Sequence, residues 1–214
     1  MFITLEGIEG SGKTSQIKNI ASFLKRRGHA CLLTREPGGT AIGRRIRRVL
    51  LDPESNDLDP LAELLLYNAD RVQHVRKIIL PALATGKVVV CDRYVDATRA
   101  YQGVARELDP KLVETLHRLL VANLKPDLTF LLDLPPEVGL ARAWAQIDNG
   151  DRSDRETRFE KEALAFHTSV REGYLGLAKG EPDRFVIIDA QATPAAVWEQ
   201  MNAVLEKYFG PPPC

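Results

Sequence analysis

Residues 7–14 read Gly-Ile-Glu-Gly-Ser-Gly-Lys-Thr and follow directly on the apolar run Phe2-Ile3-Thr4-Leu5. The Gly-x-x-x-x-Gly-Lys-Thr spacing is that of a P-loop. Its glycines let successive backbone N–H groups turn inward on an anion, and the helix that follows points its positive end at the same charge. Lys13 is then placed to bridge the β- and γ-phosphates of ATP, and the Thr14 hydroxyl to ligate Mg²⁺. The whole loop, Gly7, Ile8, Glu9, Gly10, Ser11, Gly12, Lys13 and Thr14, is the expected nucleotide-binding segment. Context separates it from a chance match. A strand-like run precedes it, and Ile17, Ile20, Ala21 and Leu24 follow at helical spacing until Gly28.

The loop's surroundings set the fold class. Strand-like runs occur at Phe2–Glu6, Ala30–Thr34, Val88–Asp92, Leu128–Leu134 and Phe185–Asp189, with amphipathic segments between them. Val88-Val89-Val90-Cys91 is wholly apolar, as a strand covered on both faces must be. Alternation of such strands with helices describes an α/β, three-layer, doubly wound parallel sheet, with functional residues at the carboxyl ends of the strands. Pro60–Thr85 reads as one long helix, with Leu61, Leu64, Leu65, Val72, Ile79 and Leu83 on one side.

Composition narrows the partners. Basic and acidic residues number 29 each in 214, so no global field favours nucleic acid or an anionic membrane, and phosphate-binding charge must be gathered locally. No apolar run approaches the ~20 residues that span a bilayer. Three cysteines, Cys31, Cys91 and Cys214, are too few and too odd in number for a disulfide framework, which points to a reducing, cytoplasmic setting. Cys31 and Cys91 fall in strand-like runs and are expected as small buried hydrophobes. No Asn-Lys-x-Asp guanine motif is present, which argues against a GTPase switch.

Two further constellations carry chemistry. Asp92-Arg93 closes the most apolar strand, where a carboxylate can hold the Mg²⁺ water shell and an arginine can take a phosphate bidentately. Asp133 is a rival for the metal role, although Leu-Pro-Pro follows it in place of an arginine. The polar stretch 148–158 contains Arg152, Arg155 and Arg158 and lacks core periodicity. Beside a P-loop it is expected to form a mobile lid whose arginines reach the transferring phosphoryl group, since transfer to anything but water requires solvent to be excluded.

Between these motifs the chain resembles the bacterial thymidylate kinases. The likeness is carried by Leu5-Glu6-Gly7-Ile8-Glu9-Gly10, Thr34-Arg35-Glu36-Pro37-Gly38-Gly39-Thr40, Leu66-Tyr67-Asn68-Ala69-Asp70-Arg71, Asp92-Arg93-Tyr94, Ala100-Tyr101-Gln102-Gly103 and Arg171-Glu172-Gly173-Tyr174-Leu175. The resemblance implies a five-stranded parallel sheet, a homodimer, and transfer of the γ-phosphoryl of MgATP to dTMP. It implies one kinase domain over 1–209, a lid at about 148–158 and a frayed tail at 210–214. It places Tyr67 on the thymine face, Arg71 on the base, Arg93 on the acceptor's 5′-phosphate, Thr98 facing the base, and Tyr101 under the deoxyribose. Gln102 joins this substrate-binding set. Glu9 approaches the 3′-OH and Mg²⁺, so that Thr14, Glu9 and Asp92 form the metal set. Gly10 stands where some relatives carry an arginine, which implies that the lid supplies the catalytic cation. Alignment back from Arg171-Glu172-Gly173-Tyr174 selects Arg158, with Arg152 and Arg155 as alternatives.

Overall fold

The computed structural model describes residues 1–150 and 153–210. Five strands, β1 (Phe2–Glu6), β2 (Cys31–Arg35), β3 (Val88–Asp92), β4 (Leu128–Asp133) and β5 (Phe185–Asp189), form one parallel sheet in the order β2-β3-β1-β4-β5. Helices α1 (Lys13–Arg26), α2 (Ala41–Leu51), α3 (Pro60–His74), α4 (Leu80–Ala84), α5 (Val95–Thr98), α6 (Pro110–Val121), α7 (Pro136–Asp148), α8 (Leu164–Gly180) and α9 (Pro194–Phe209) connect and cover the strands. Alternation along the central strands divides the core. Ile3, Leu5, Val88, Val90, Leu128 and Phe130 pack on one face with residues of α1, α8 and α9. Phe2, Val89 and Cys91 pack on the other with Val75 and Ile79.

Several helix starts are written in the sequence as an acceptor followed by proline. Asp59, Asp109 and Thr193 each cap the backbone N–H groups just ahead, with Pro60, Pro110 and Pro194 at the first helical position, where a missing N–H costs nothing.

The expected strands Phe2–Glu6, Val88–Asp92 and Phe185–Asp189 are observed with those limits. β2 begins and ends one residue later than expected, and β4 stops at Asp133. As an outer strand, β2 leaves Cys31 only half-buried, whereas Cys91 at the centre is buried as expected. Cys214 lies outside the described residues.

The segment 60–85 departs most from expectation. It is helical throughout, but residues 75–79 form a π turn before α4. Pro81 sits just inside α4, and a widened turn spares the chain the hydrogen bond that proline cannot make. The apolar stripe marks the buried side only in part, with Leu64 and Ile79 fully buried. Leu61 and Leu65 are 45% and 50% exposed, while Glu63, Asn68, Asp70, Arg71 and His74 are buried. α3 turns a polar face into the molecule, and that face belongs to the site.

Register aligns the strand ends that matter. Leu5 pairs with Asp92, and Glu6 with Leu131, so the P-loop, Asp92-Arg93 and Asp133 emerge at one edge of the sheet.

Candidate active site

A cleft of about 700 Å³ opens at that edge. Glu9 to Thr14 line it together with Tyr67, Arg71, Asp92, Arg93, Thr98, Tyr101 and Gln102. These are the phosphate, metal and acceptor residues singled out from the sequence. Gly7 and Ile8 face a smaller hollow beside Asp133. A chain of zero net charge gathers Lys13, Lys18, Arg35, Arg47, Arg71 and Arg93 around one cavity. Cleft carboxylates pair with three of these cations: Glu9 with Arg93, Glu36 with Arg71, and Glu156 with Arg47.

Lys13 opens α1 and folds back onto its own loop. Its Nζ donates to the carbonyls of Gly7 (2.9 Å) and Ile8 (2.8 Å) and to Ser11 Oγ (3.0 Å). Burial, with Arg93 adding to it, pushes its ammonium down to about 8. Gly10 has φ +68°, and a Cβ there would stand 2.0 Å from the carbonyl oxygen of Gly139 in α7. The converse holds as well: a Cβ on Gly139 would stand 2.6 Å from Glu9 O. Two glycines thus let the P-loop tip and α7 touch backbone to backbone, with no space for a longer side chain at position 10.

The two aspartate candidates separate by their partners. Asp133 is engaged bidentately by Arg171, at 2.7 and 2.8 Å. Asp92 lines the cleft, and its Oδ1 is buried without a hydrogen bond. An orphaned carboxylate oxygen beside a P-loop suits a hydrated Mg²⁺, which takes few protein ligands and keeps several waters. Among the described residues no cluster of three or more His, Cys, Asp or Glu could hold a metal by itself. Thr14, Glu9 and Asp92 therefore fit an ion that arrives with phosphates.

Arg93 occupies the centre. Its φ of +65° places an arginine in the left-handed region, a conformation that costs a non-glycine residue on the order of 1–3 kcal/mol and persists where surroundings enforce it. Nη2 donates to Glu9 Oε1 at 2.9 Å, Nη1 donates to the Tyr174 hydroxyl at 3.0 Å, and the guanidinium lies 4.9 Å from the centre of the Tyr101 ring. Tyr174 in turn donates to Glu6 Oε2 at 2.8 Å, while Glu6 Oε1 accepts from the Tyr94 N–H. Burial and then the neighbouring Asp96 push Glu6 up to about 8. Burial alone would also raise Glu9, but Arg93 and then His167 hold it below the usual carboxylate range. Tyr101 closes the ring by donating to Glu9 Oε1 at 2.7 Å.

The residues expected on the acceptor side sit on α3, at the end of α5 and on the π turn 99–105 that follows it. Arg71 is fixed by Glu36 (2.9 Å) and by the Thr98 hydroxyl (2.7 Å), and Glu36 also holds His74 Nδ1 at 2.9 Å. Gln102 Nε2 donates to Glu63 Oε1 at 2.6 Å. Tyr67 remains partly buried at the cleft wall. Burial raises the Tyr67 and Tyr101 hydroxyls, so both rings are neutral phenols.

The arginine selected by alignment is placed differently from expectation. Arg158 is buried, pairs with Glu63 Oε2 at 2.6 Å and donates to the Leu50 carbonyl at 3.2 Å. It does not line the cleft. Its charge is drawn to α3, since burying Glu63 unpaired would cost several kcal/mol. Arg155 is exposed, and Arg152 lies outside the described residues. The 3₁₀ turn Asp154–Glu156 is tied to α2 through Glu156, which Arg47 grips with Nη2 at 2.7 Å and Nε at 3.1 Å.

Glu6, Glu36, Glu63, His74, His167 and Tyr174 escaped the sequence reading as site residues. The available signal was weak: a glutamate ending an apolar strand at Glu6, and charges recurring within a leucine-rich helix at Glu63 and His74.

A parallel sheet with a P-loop after its first strand, and an arginine-centred pocket beside it, defines a P-loop phosphotransferase. A family model described as thymidylate kinase matches residues 5–201. The chain is 56% identical to the thymidylate kinase of Desulfosudis oleivorans over 207 residues, covering 97% of each chain. It is 52% identical to that of Trichlorobacter lovleyi over 212 residues, covering 99% of this chain and 100% of that one. The crystal structure of thymidylate kinase from Ehrlichia chaffeensis superposes with a TM-score of 0.74 at 33% identity, covering 96% of this chain and 98% of that one. The chain belongs to the thymidylate kinase family.

Proposed function

We propose that the chain transfers the γ-phosphoryl of ATP to dTMP, giving dTDP and ADP, by direct in-line displacement. Family membership supports donor and acceptor, and one observation carries the mechanism. The P-loop and the acceptor residues line a single cleft, with Arg93 between them. An oxygen of the acceptor's 5′-phosphate bonds to Pγ as the bond from Pγ to the β-phosphate oxygen breaks. The acceptor is already anionic and needs no strong base, so positioning and charge neutralisation are what the protein must supply.

In this reading the P-loop amides and Lys13 take the β- and γ-phosphates, and Arg93 exchanges Glu9 for the acceptor phosphate. Arg71, Thr98, Gln102 and the Tyr67 face select the base, and Tyr101 fills the space a ribose 2′-OH would need. Thr14, Asp92 and Glu9 would hold Mg²⁺, which when bound offsets charge on the β- and γ-oxygens. Segment 148–158 acts as a lid. Arg155 or Arg152 supplies its cation, because Arg158 is committed to Glu63.

We further read the active unit as a homodimer. Ile42 and Val49 of α2, each 47% exposed, and Leu61 and Leu65 of α3 give two packed helices an uncovered apolar face. Cytoplasmic residence accords with the free thiols Cys31 and Cys91 and with the lack, among the described residues, of a helix long and apolar enough to cross a membrane.

ADP release measured across dTMP, dUMP, UMP, AMP and thymidine tests the acceptor. dTMP should be fastest, and equal rates with UMP would remove Tyr101 as the discriminator. A second measurement addresses Lys13. With its ammonium near 8 in the free protein, a pH 8 solution holds it about half deprotonated. Incoming phosphates favour the charged form, so ATP binding at pH 8 should take up about half a proton, and less as pH falls. Calorimetric titrations in buffers of different ionisation enthalpy read this directly, and Lys13→Arg should abolish it.

A further inference from the structure

His167 lies in the first turn of α8 and is fully buried, yet neither ring nitrogen has a hydrogen-bond partner. Its Nδ1 stands 3.3 Å from Glu9 Oε2, and that oxygen is also buried without a hydrogen bond. A bare donor and a bare acceptor thus face one another at bonding distance but out of alignment. The other buried histidines differ. His74 is satisfied by Glu36 and Thr34. His117, whose nitrogens are also bare, packs edge-on against Tyr94 and forms no ion pair among the described residues. Its ring meets that of the adjacent Phe166 edge-on at 5.6 Å, a contact that does not explain its meeting with Glu9.

We infer that His167 is a positioning residue for Glu9, donating Nδ1–H to Oε2 once the acceptor phosphate draws Arg93 away. Oε1 takes both Arg93 and Tyr101. When Arg93 turns to a phosphate, Glu9 is left with one phenol. A buried carboxylate stripped of its charged partner is costly and has no fixed orientation. His167 supplies the replacement and keeps the carboxylate turned toward the deoxyribose 3′-OH. The inference rests on reading Glu9 as the sugar-facing acid.

The test compares dissociation constants of dTMP and 3′-deoxy-dTMP, by calorimetry, for the unaltered protein, His167→Leu, His167→Asn and Glu9→Gln, with unfolding midpoints alongside. Asparagine can place a donor where Nδ1 lies. His167→Leu should weaken dTMP about tenfold, raise its KM more than it lowers kcat, and leave the 3′-deoxy analogue nearly unchanged. His167→Asn should recover most of the loss. Equal weakening of both nucleotides by His167→Leu, or equal behaviour of the Leu and Asn variants, overturns the inference and leaves a core histidine. If Glu9→Gln discriminates between the nucleotides and His167→Leu does not, His167 alone is excluded. If Glu9→Gln weakens both alike, the sugar-facing reading fails and takes the inference with it. Should the leucine variant not fold, His167→Gln, whose amide falls at the place of Nε2, serves as the donor-misplaced comparison.

Discussion

Lys13→Ala should lower kcat for dTMP phosphorylation by on the order of 10²–10³ while leaving the unfolding midpoint nearly where it was. The two halves of that expectation have separate causes. In the transfer proposed above the ammonium is the P-loop's one full positive charge against the β- and γ-oxygens. In the fold the same charge is buried, and that desolvation lowers its ionisation. Removing it loses bonds to Gly7, Ile8 and Ser11 but also relieves a buried cation, and the two nearly offset. Steady-state kinetics beside a thermal melt tests both. A variant that turns over at near-normal rate would take Lys13 out of the mechanism, and one that melts early would show the bonds to outweigh the desolvation.

Gly10→Arg should be the more damaging change to the molecule itself. An arginine here would bring a further cation to the P-loop, which on charge alone is a gain. The structure argues otherwise. A left-handed φ costs a residue with a Cβ about 1–2 kcal/mol, and the Cβ would enter the Gly139 carbonyl, an overlap that α7 must relieve for about 1–3 kcal/mol more. Because α7 leads directly into 148–158, the displacement reaches both nucleotide and lid. Loss of ATP binding together with a lowered denaturation midpoint is expected. Unaltered stability would mean that α7 moves freely away from the P-loop.

These expectations draw on features that were unequally readable in the chain. The fold was legible because its signals are local. Wholly apolar strands such as Val88–Cys91, acceptor-proline helix starts and a P-loop at the first strand–helix turn each depend on neighbours in sequence. Cleft residues belonging to motifs were legible for the same reason. What sequence could not show is pairing at a distance. Glu36 meets Arg71 across 35 positions, and Tyr174 meets Glu6 across 168. Such partners let α3 bury Glu63, Arg71 and His74 beside Leu64 while Leu61 and Leu65 stay outside, which hydrophobic spacing alone does not distinguish. The placement of Arg158 was illegible for a related reason. Alignment found the position, but only the fold reveals that Glu63 waits for it.

That last pairing has a consequence for how such a protein can vary. Glu63 receives Arg158 and Gln102 at once, so the cleft wall at Gln102 and the end of the 148–158 segment share one post. A change at Glu63 therefore reaches Gln102 and the end of that segment together, in a stretch where Ser153 and Glu156 already line the cleft. Variation at position 63 is thereby coupled to positions 102 and 158, since removing one partner leaves a buried charge uncompensated.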